Sequence, residues 1–365
     1  MKLIQLETYR ARVPLVKPFK TALRTVEAAD TIIVKITCEN GLTGWGEAPP
    51  THVITGESLQ SIESAVHSVL KPYLQNRNLL NYEALFQGMH ALMVGNGSAK
   101  AAVDMALYDC LSKNAGLPLY QYLGGFRDEV ETDFTVSVNS AAEMAEDADS
   151  IIRQGFNVLK IKVGKDADSD LERIREIRKV AGKDVKIRLD ANQGWSPKEA
   201  IRIIRKMEDM GLDIELVEQP VPAADIEGLK QVTDGVETLI MADESVFTPL
   251  QAFEVLKTRS TDLINIKLMK AGGIYHAEKI NVLAESCGVE CMVGSMIETK
   301  IGLTAAAHFA ASKKNITRYD FDAPLLLSFD IAEGGIEYNG RKISFPEAPG
   351  LGIKGLSAEG RGSLS

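Results

Sequence analysis

Several features that mark specialised classes of protein are missing from this chain. It has four cysteines in 365 residues and no CxxC pair, which argues against zinc and dithiol motifs. No apolar run reaches the roughly 18 residues of a membrane span, and the N-terminus lacks a signal-peptide pattern. A formal net charge of −9 argues against nucleic acids and anionic membranes, which bind basic surfaces. We therefore expect a cytoplasmic globular protein with no nucleic-acid or membrane partner.

The order of the predicted elements is more informative than the composition. From about residue 130 onward, short segments rich in Val and Ile alternate with amphipathic stretches, which is typical of βαβ units and a parallel sheet. Eight such segments fit a closed barrel. The predicted strands are 133–138, 158–163, 185–190, 214–219, 239–244, 263–268, 290–295 and 316–321. The sequence after Asp322 is rich in Gly and Pro and lacks a helical period, so the last helix of an eightfold barrel is expected to be missing.

The length predicts more than one structural unit, because a single hydrophobic core usually stops growing at roughly 250–300 residues. Residues 1–125 combine an alternating, strand-like segment with helical stretches, which indicates an α+β unit. We predict this unit over 1–125, the barrel over 126–322, and a tail over 323–365 that returns to pack against the first unit.

Charged residues recur inside the otherwise apolar barrel strands. Lys162, Asp190, Glu218, Asp243 and Lys267 follow one another at intervals of 24–28 residues, which is about one βα unit. They therefore fall on consecutive strands, near the C-terminal ends where barrel enzymes place their chemistry. A single Asp at a strand end is usually a helix cap or a turn residue. Five charged residues in succession at the same point of the repeat indicate a functional site.

The three carboxylates of this series predict a metal site. Asp190, Glu218 and Asp243 come from three adjacent strands, so their oxygens can converge on one cation. Ligation by oxygen alone favours Mg²⁺ over zinc, with Mn²⁺ as the alternative ion. A substrate carboxylate bound to that ion would have its enolate-like dianion stabilised as the neighbouring proton leaves.

The two lysines of the series predict proton transfer. Lys162 and Lys267 are four strands apart in a ring of eight, so they face each other across the mouth. Two such groups can remove a proton from one face of a carbon and return it to the other, as a racemase or epimerase does. Lys160 shares a strand face with Lys162, and the like charges should favour a neutral form of one of them. A dehydratase or cycloisomerase would use the same frame, so these residues leave the product open.

The motifs together resemble the enolase superfamily, in its muconate lactonizing enzyme subgroup. They are LKIKVG with Lys160 and Lys162, the three carboxylates, NIKLMKAGGI with Lys267, GWGEAPP at 44–50 and GLPLYQYLGG at 116–125. The resemblance covers nearly the whole chain. It implies an α/β fold, a modified TIM barrel (β/α)7β with an N-terminal α+β capping domain that is completed by the C-terminal tail. It also implies a homo-oligomer.

Within the subgroup, the chain most resembles dipeptide epimerases of the L-Ala-D/L-Glu type. Asp320 and Asp322, in RYDFDAP, would share one face of the eighth strand, and in that family this pair holds the α-ammonium of the dipeptide. Arg24 would pair with the side-chain carboxylate of the Glu residue. The other substrate contacts that the resemblance implies are Thr135, Lys160, Ser295 and Ile297.

The resemblance thus implies Mg²⁺-dependent epimerisation of a dipeptide at the Glu α-carbon, in murein-peptide metabolism. N-succinylamino acid racemase, o-succinylbenzoate synthase and muconate cycloisomerase activities are alternatives on the same scaffold. Their substrates carry no free ammonium group, so the paired acids at 320 and 322 argue against them. A barrel that has lost catalysis and only binds is a further hypothesis, and the intact lysines and carboxylates argue against it.

Overall fold

The structure is a computed structural model, and it describes residues 1–21, 23–164 and 166–364. The strands are β1 (Leu3–Lys20), β2 (Thr25–Cys38), β3 (Thr43–Ala48), β4 (Glu129–Glu131), β5 (Phe134–Val136), β6 (Val158–Lys162), β7 (Lys186–Asp190), β8 (Ile214–Glu218), β9 (Leu239–Ala242), β10 (Leu263–Ile266), β11 (Glu290–Val293), β12 (Ile316–Tyr319), β13 (Ala332–Gly334), β14 (Glu337–Asn339), β15 (Lys342–Ser344) and β16 (Ile353–Leu356).

The α-helices are α1 (Leu59–Ala65), α2 (Lys71–Leu74), α3 (Tyr82–Ala91), α4 (Gly97–Asn114), α5 (Leu119–Tyr122), α6 (Ala141–Arg153), α7 (Ala167–Ala181), α8 (Pro197–Asp209), α9 (Ile226–Gly235), α10 (Pro249–Thr258), α11 (Leu268–Ala271), α12 (Ile274–Ser286), α13 (Lys300–Ala311) and α14 (Ala358–Gly362). A π-helical segment (Val66–Leu70) joins α1 to α2, and a 3₁₀ helix (Ala323–Leu326) follows β12.

Strands β5 to β12 form one parallel sheet in sequence order, with helices between successive strands. The backbone N–H of Asp133 donates to the carbonyl of Tyr319 at 3.2 Å, so the two edge strands meet. This arrangement confirms the predicted α/β barrel fold. The strands end up to two residues earlier than predicted, so Asp243 and Lys267 lie directly after β9 and β10. Their side chains enter the mouth from the first loop position instead of from the strand.

Two barrel helices begin at residues that suit helix N-termini. Ser196 and Thr248 cap α8 and α10 through reciprocal hydrogen bonds with Glu199 and Gln251, and each is followed by Pro, which suits the first helical turn. One face of α8 is apolar and packs on the sheet. Its buried residues are Ala200, Ile203, Ile204 and Met207. Within the described ranges, no helix is long and apolar enough to cross a membrane.

The N-terminal unit is an antiparallel sheet, in the order β1-β2-β3, packed on the almost fully buried helix α4. The motif at 44–50 needs its glycines for this contact, since a Cβ on Gly46 would lie 1.9 Å from the carbonyl oxygen of Ala102. The C-terminal tail returns to this unit through backbone bridges, as the predicted fold requires. The bridges are Ala11 with Leu364, Leu15 with Leu327, and Pro118 with Gly350. The domain boundaries at 125 and 322 stay predictions.

Candidate active site

The capping unit and the C-terminal ends of the barrel strands together line a cleft that opens to solvent. Its lining residues are Phe19, Thr21, Leu23, Arg24, Val53, Ile54, Thr135, Lys162, Asn192, Glu244, Lys267, Ser295, Met296, Ile297, Asp320, Asp322 and Ala323. The fold therefore brings together both predicted catalytic lysines and all the predicted substrate contacts except Lys160.

The three predicted metal ligands lie beside this cleft and are fully buried. Asp190 and Glu218 end β7 and β8 and are direct neighbours in the sheet, and Asp243 follows β9. The side-chain amide of Asn265 donates to Glu218 Oε1 at 2.7 Å. The Nζ of Lys160 lies 2.7 Å from Glu218 Oε2 and 3.3 Å from Asp190 Oδ2. Lysine ammonium groups thus connect the carboxylates.

The buried carboxylates differ in how well their charges are compensated. Burial raises the pKa of Glu218 to about 7, and the charge of Asp190 adds to this shift. Burial acts on Asp190 in the same direction, but Lys162 and Lys160 together lower its pKa to about 2. For Asp243 the effect of burial is likewise outweighed, and Lys267 and Lys270 hold its pKa far below the ordinary value. Glu218 is therefore the carboxylate with the least compensated charge.

The chemistry of these residues fits a divalent cation. The donor set consists of carboxylate oxygens, which Mg²⁺ prefers, and a bound cation would offset the burial and the neighbouring Asp190 charge that raise the pKa of Glu218. In the part of the chain that the structure describes, no three His, Cys, Asp or Glu side chains already converge as a cation-binding group. The lysine contacts account for this, because ammonium groups occupy the positions next to the carboxylate oxygens.

The two predicted catalytic lysines reach the cleft from β6 and from the end of β10. Lys162 donates to Asp190 Oδ2 at 2.5 Å, and Lys267 donates to Asp243 Oδ2 at 2.7 Å. Burial lowers the pKa of Lys267, but Asp243 and Glu218 raise it by more, so that it lies above the ordinary value. Each lysine is therefore anchored to a different carboxylate of the triad.

The structure changes the interpretation of Lys160. Its side chain lies beneath the cleft, with Nζ 2.7 Å from Asp320 Oδ2. Burial lowers the pKa of Lys160, but Asp320, Glu218 and Asp190 raise it well above the ordinary value. Repulsion from Lys162 therefore does not make Lys160 neutral. Its ammonium group neutralises carboxylates at the ends of β7 and β8 and directly after β12.

Asp320 and Asp322 line the cleft for a different reason from the one predicted. Strand β12 ends at Tyr319, so a strand period of two does not apply to them, and Asp322 is the residue directly before the following 3₁₀ helix. Asp322 Oδ2 accepts the backbone N–H of Thr135 at 2.7 Å. Burial raises the pKa of Asp322 to about 7, with a further contribution from Asp320. The pair can offer negative charge to a cationic group in the cleft.

Arg24 borders the cleft from the capping unit, in the segment between β1 and β2. Burial lowers its pKa, and no acidic side chain of the described residues compensates its charge. Its guanidinium group can therefore pair with a carboxylate of a ligand. On the barrel side, Ser295 donates to the carbonyl of Asp320 at 3.4 Å, and Ile297 lies two residues further along the same loop.

Three polar residues of the site were not predicted. Asn192 and Glu244 line the cleft, and the amide of Asn192 lies 3.5 Å from Glu244 Oε1. Each lies two residues after the end of a barrel strand and next to or near a predicted ligand, so their position in βα loops could have indicated them. Lys270 is buried with Nζ 2.6 Å from Asp243 Oδ1. It lies in a helical turn after β10, where the strand pattern carries no signal.

Comparison with known proteins agrees with this geometry over the whole chain. Residues 4–124 match the family described as mandelate racemase / muconate lactonizing enzyme, N-terminal domain, and residues 143–356 match the family described as enolase C-terminal domain-like. The chain belongs to the enolase superfamily. The resemblance noted in the sequence is confirmed, and this member of the superfamily is an isomerase of the racemase and epimerase class.

Its similarity to characterised members is high. A relative from Bacillus subtilis (strain 168), named L-Ala-D/L-Glu epimerase, is 67% identical over 98% of both chains. A substrate-liganded complex of the Bacillus subtilis epimerase superposes with a TM-score of 0.97 at 66% identity, covering 98% of this chain and 100% of the other. The dipeptide epimerase from Enterococcus faecalis V583, complexed with Mg and L-Leu-L-Tyr, has a TM-score of 0.94 at 44% identity, covering 97% and 99%.

Proposed function

We propose that this chain is a Mg²⁺-dependent dipeptide epimerase that inverts the Glu α-carbon of L-Ala-Glu. One lysine would remove the α-proton, and a second lysine would return a proton to the opposite face. The observation that carries the proposal is that Lys162 and Lys267 border the same cleft as Asp320, Asp322 and Arg24. The similarity to relatives named L-Ala-D/L-Glu epimerase supports this choice of substrate.

The charges around the cleft support recognition of a dipeptide with an acidic second residue. Asp320 and Asp322 would bind the α-ammonium group, and Arg24 would bind the side-chain carboxylate with its planar fork. Binding at both ends would hold the second α-carbon at a defined position in the cleft relative to the two lysines, and such orientation of the reacting groups favours the reaction. A substrate without the ammonium group would give Asp322, whose pKa burial raises to about 7, no cationic partner in the cleft, at a cost in free energy.

The lysines would carry the proton. One lysine accepts the α-proton as the C–H bond breaks, and the other donates a proton to the opposite face as the new C–H bond forms. Asp190, Glu218 and Asp243 would hold Mg²⁺, which supplies positive charge that stabilises the carboxylate side of the substrate while the α-carbon has lost its proton. Lys160 would keep the buried acids beneath the cleft compensated throughout.

The direct test is incubation of the protein with L-Ala-L-Glu and Mg²⁺ in D₂O. We expect deuterium at the Glu α-carbon together with formation of L-Ala-D-Glu, followed by NMR and chiral chromatography. Removal of the metal with a chelator should stop both, and adding Mg²⁺ back should restore them. Absence of exchange and of the epimer with Mg²⁺ present would contradict the proposal.

The alternative activities on the same scaffold are separated by the acid pair. In the double variant Asp320→Asn, Asp322→Asn, we expect kcat/KM for L-Ala-L-Glu to fall at least about 30-fold, as for loss of a buried charge pair. Turnover of an N-succinylamino acid, which has no ammonium group, should not fall in parallel. If dipeptide turnover survives this change, the specificity argument is wrong.

A further inference from the structure

Two acidic residues of the capping unit contact the barrel and are fully buried there. Asp104, on α4, accepts the backbone N–H groups of Ile274 at 2.6 Å and of Tyr275 at 3.3 Å. Glu47, in β3, accepts the backbone N–H and the hydroxyl of Thr299 at 2.8 and 2.6 Å. Each carboxyl group therefore binds N–H groups at the start of a barrel helix, α12 for Asp104 and α13 for Glu47.

The contact of Asp104 depends on the glycine pair between α11 and α12. Gly272 ends α11 in the left-handed conformation, with a φ of +79°. Gly273 has a φ of +115°, and a Cβ at this position would lie 2.2 Å from Cγ of Asp104. A side chain at 273 would therefore displace the carboxyl group, so the glycines let α12 begin directly against α4.

The short helix on the other side of the glycine pair carries Lys267 at its start. Lys267 directly precedes α11, and its carbonyl accepts the N–H of Ala271 at 3.0 Å. The N–H groups of Gly272 and Gly273 both donate to the carbonyl of Leu268 at 2.9 Å. Hydrogen bonds therefore connect Lys267 to the start of α12, which α4 of the capping unit holds.

We propose that Asp104 is a positioning residue for Lys267. By fixing the start of α12, it fixes the helical turn that orients the Lys267 side chain toward the substrate. This inference rests on the proposed function, in which Lys162 and Lys267 serve opposite faces of the α-carbon. Lys162 ends β6, which pairs with β5 and β7, so the sheet sets its position. Loss of the Asp104 contact should therefore impair only one of the two proton transfers.

The test is α-proton exchange in D₂O, measured separately from L-Ala-L-Glu and L-Ala-D-Glu and compared per folded molecule. The Lys162→Ala variant identifies the epimer that Lys267 serves, because only that exchange persists in it. Asp104→Asn keeps the size of the side chain but replaces one acceptor oxygen by a donor. We expect it to slow exchange from the Lys267 epimer at least about tenfold, since misplacing a reacting group by about 1 Å can cost about 10²-fold in rate. Exchange from the other epimer should keep its wild-type rate.

A second variant disturbs the same contact without changing the acid. In Gly273→Ala, the added Cβ would displace the Asp104 carboxyl group, so this variant should slow exchange from the same epimer. Slowing of both epimers to the same extent in Asp104→Asn and Gly273→Ala, or no slowing in either, overturns the inference.

Glu47→Gln is the matched control. Glu47 is buried to the same degree as Asp104 and holds α13, but the loop before α13 contains no lysine. This variant should not distinguish the two epimers, and slowing confined to the Lys267 epimer would also overturn the inference. A wild-type protein that exchanges neither epimer would instead contradict the proposed function, so the two failures are distinguishable.

Discussion

Glu215 and Glu218 lie at opposite ends of strand β8, and their side chains experience opposite electrostatic environments. Glu215 accepts hydrogen bonds from Arg188 at 2.7 Å and from Arg318 at 3.0 Å, at the N-terminal end of the barrel. Burial raises the pKa of Glu215, but the two arginines outweigh it and the pKa is lowered. Glu218, at the mouth, has a pKa raised to about 7.

The same contrast holds for the two groups of charged residues to which these glutamates belong. One is the lower layer, at the N-terminal end of the barrel, and the other is the mouth, at the C-terminal end. The lower layer alternates in sign, since Arg188 also pairs with Asp133 at 2.9 Å and Arg318 with Glu290 at 2.7 Å. In the mouth, Glu244 as well as Glu218 and Asp322 has its pKa raised, to about 8 for Glu244, first by burial and then by nearby acids. In the lower layer the arginines lower the pKa of Glu215 and Glu290, although burial raises the pKa of Asp133 well above its ordinary value. The mouth has negative charge to offer a ligand.

The largest effect is expected at the mouth. Lys162→Ala and Lys267→Ala should each lower epimerisation by roughly 10²–10⁴-fold, because each removes one acid/base group. Each variant should retain α-proton exchange from one epimer only, measured separately with L-Ala-L-Glu and L-Ala-D-Glu in D₂O. Exchange from both epimers in either variant would contradict a division of labour between the lysines.

The lower layer should respond in stability and leave the chemistry intact. Arg188→Met removes the ion-pair partner of the buried Asp133 and one of the two arginines that bind Glu215, and should cost about 3–5 kcal/mol of unfolding free energy. Urea denaturation measures this cost, and kcat per folded molecule should stay within about twofold. If the Arg188→Met variant were as stable as the wild type but inactive, the lower layer would not differ from the mouth in the way described.

The two glutamates of β8 offer a matched pair of variants with opposite pH dependence. A lowered pKa contributes stability above the unfolded value, so Glu215→Gln should lose about 1–3 kcal/mol at pH 7 and less as the pH falls through the folded pKa. A raised pKa is a cost that grows as pH rises from about 4.5 to about 7. Glu218→Gln should therefore gain about 1 kcal/mol at pH 8 in chelator, and little at pH 4.

Urea denaturation at a series of pH values, with metal removed, provides the measurement. The wild-type protein is the reference at every pH, so that other titrating groups cancel. If the change in unfolding free energy depends on pH in the same way for both variants, the electrostatic environments at the two ends of β8 do not differ as described.

The smallest effect is expected for an ion pair outside both layers. Lys230 and Asp234 on α9 are 2.9 Å apart, with 42% and 60% of their side chains exposed. Lys230→Ala should change stability by no more than about 0.5 kcal/mol, because solvent screens exposed pairs. A larger loss would mean that an ion pair stabilises this protein even when it is exposed to solvent.

Much of the fold and the centre of the site could be predicted because both follow a short repeat. Lys162, Asp190 and Glu218 recur once in each βα unit, and a βα unit is a local pattern. Arg188 carries the same strand signal as Asp190, yet its role in the lower layer was not predicted. Its partner Asp133 lies 55 residues away in sequence, and pairing over that distance leaves no local trace.

The environment of Lys160 also depends on residues that are far away in the sequence. Lys162, two residues away in sequence, predicted repulsion and a neutral form of one of the two lysines. Its neighbour in space, Asp320, lies 160 residues away and favours the charged form. Likewise, the strand period placed Asp320 and Asp322 correctly in the cleft, although the chain has already left β12 at that point.

The amino-acid sequence by itself determined the number and order of the barrel strands and the presence of a charged residue at successive strand ends. It did so because backbone periodicity and the βα repeat act over a few residues to a few tens of residues. Only the tertiary structure decided which of those charges are compensated, and that Arg24 of the capping unit and Ile297 of the barrel line the same cleft. Charge compensation depends on burial and on distances between groups far apart in the chain, and both exist only after the barrel closes and the capping unit docks.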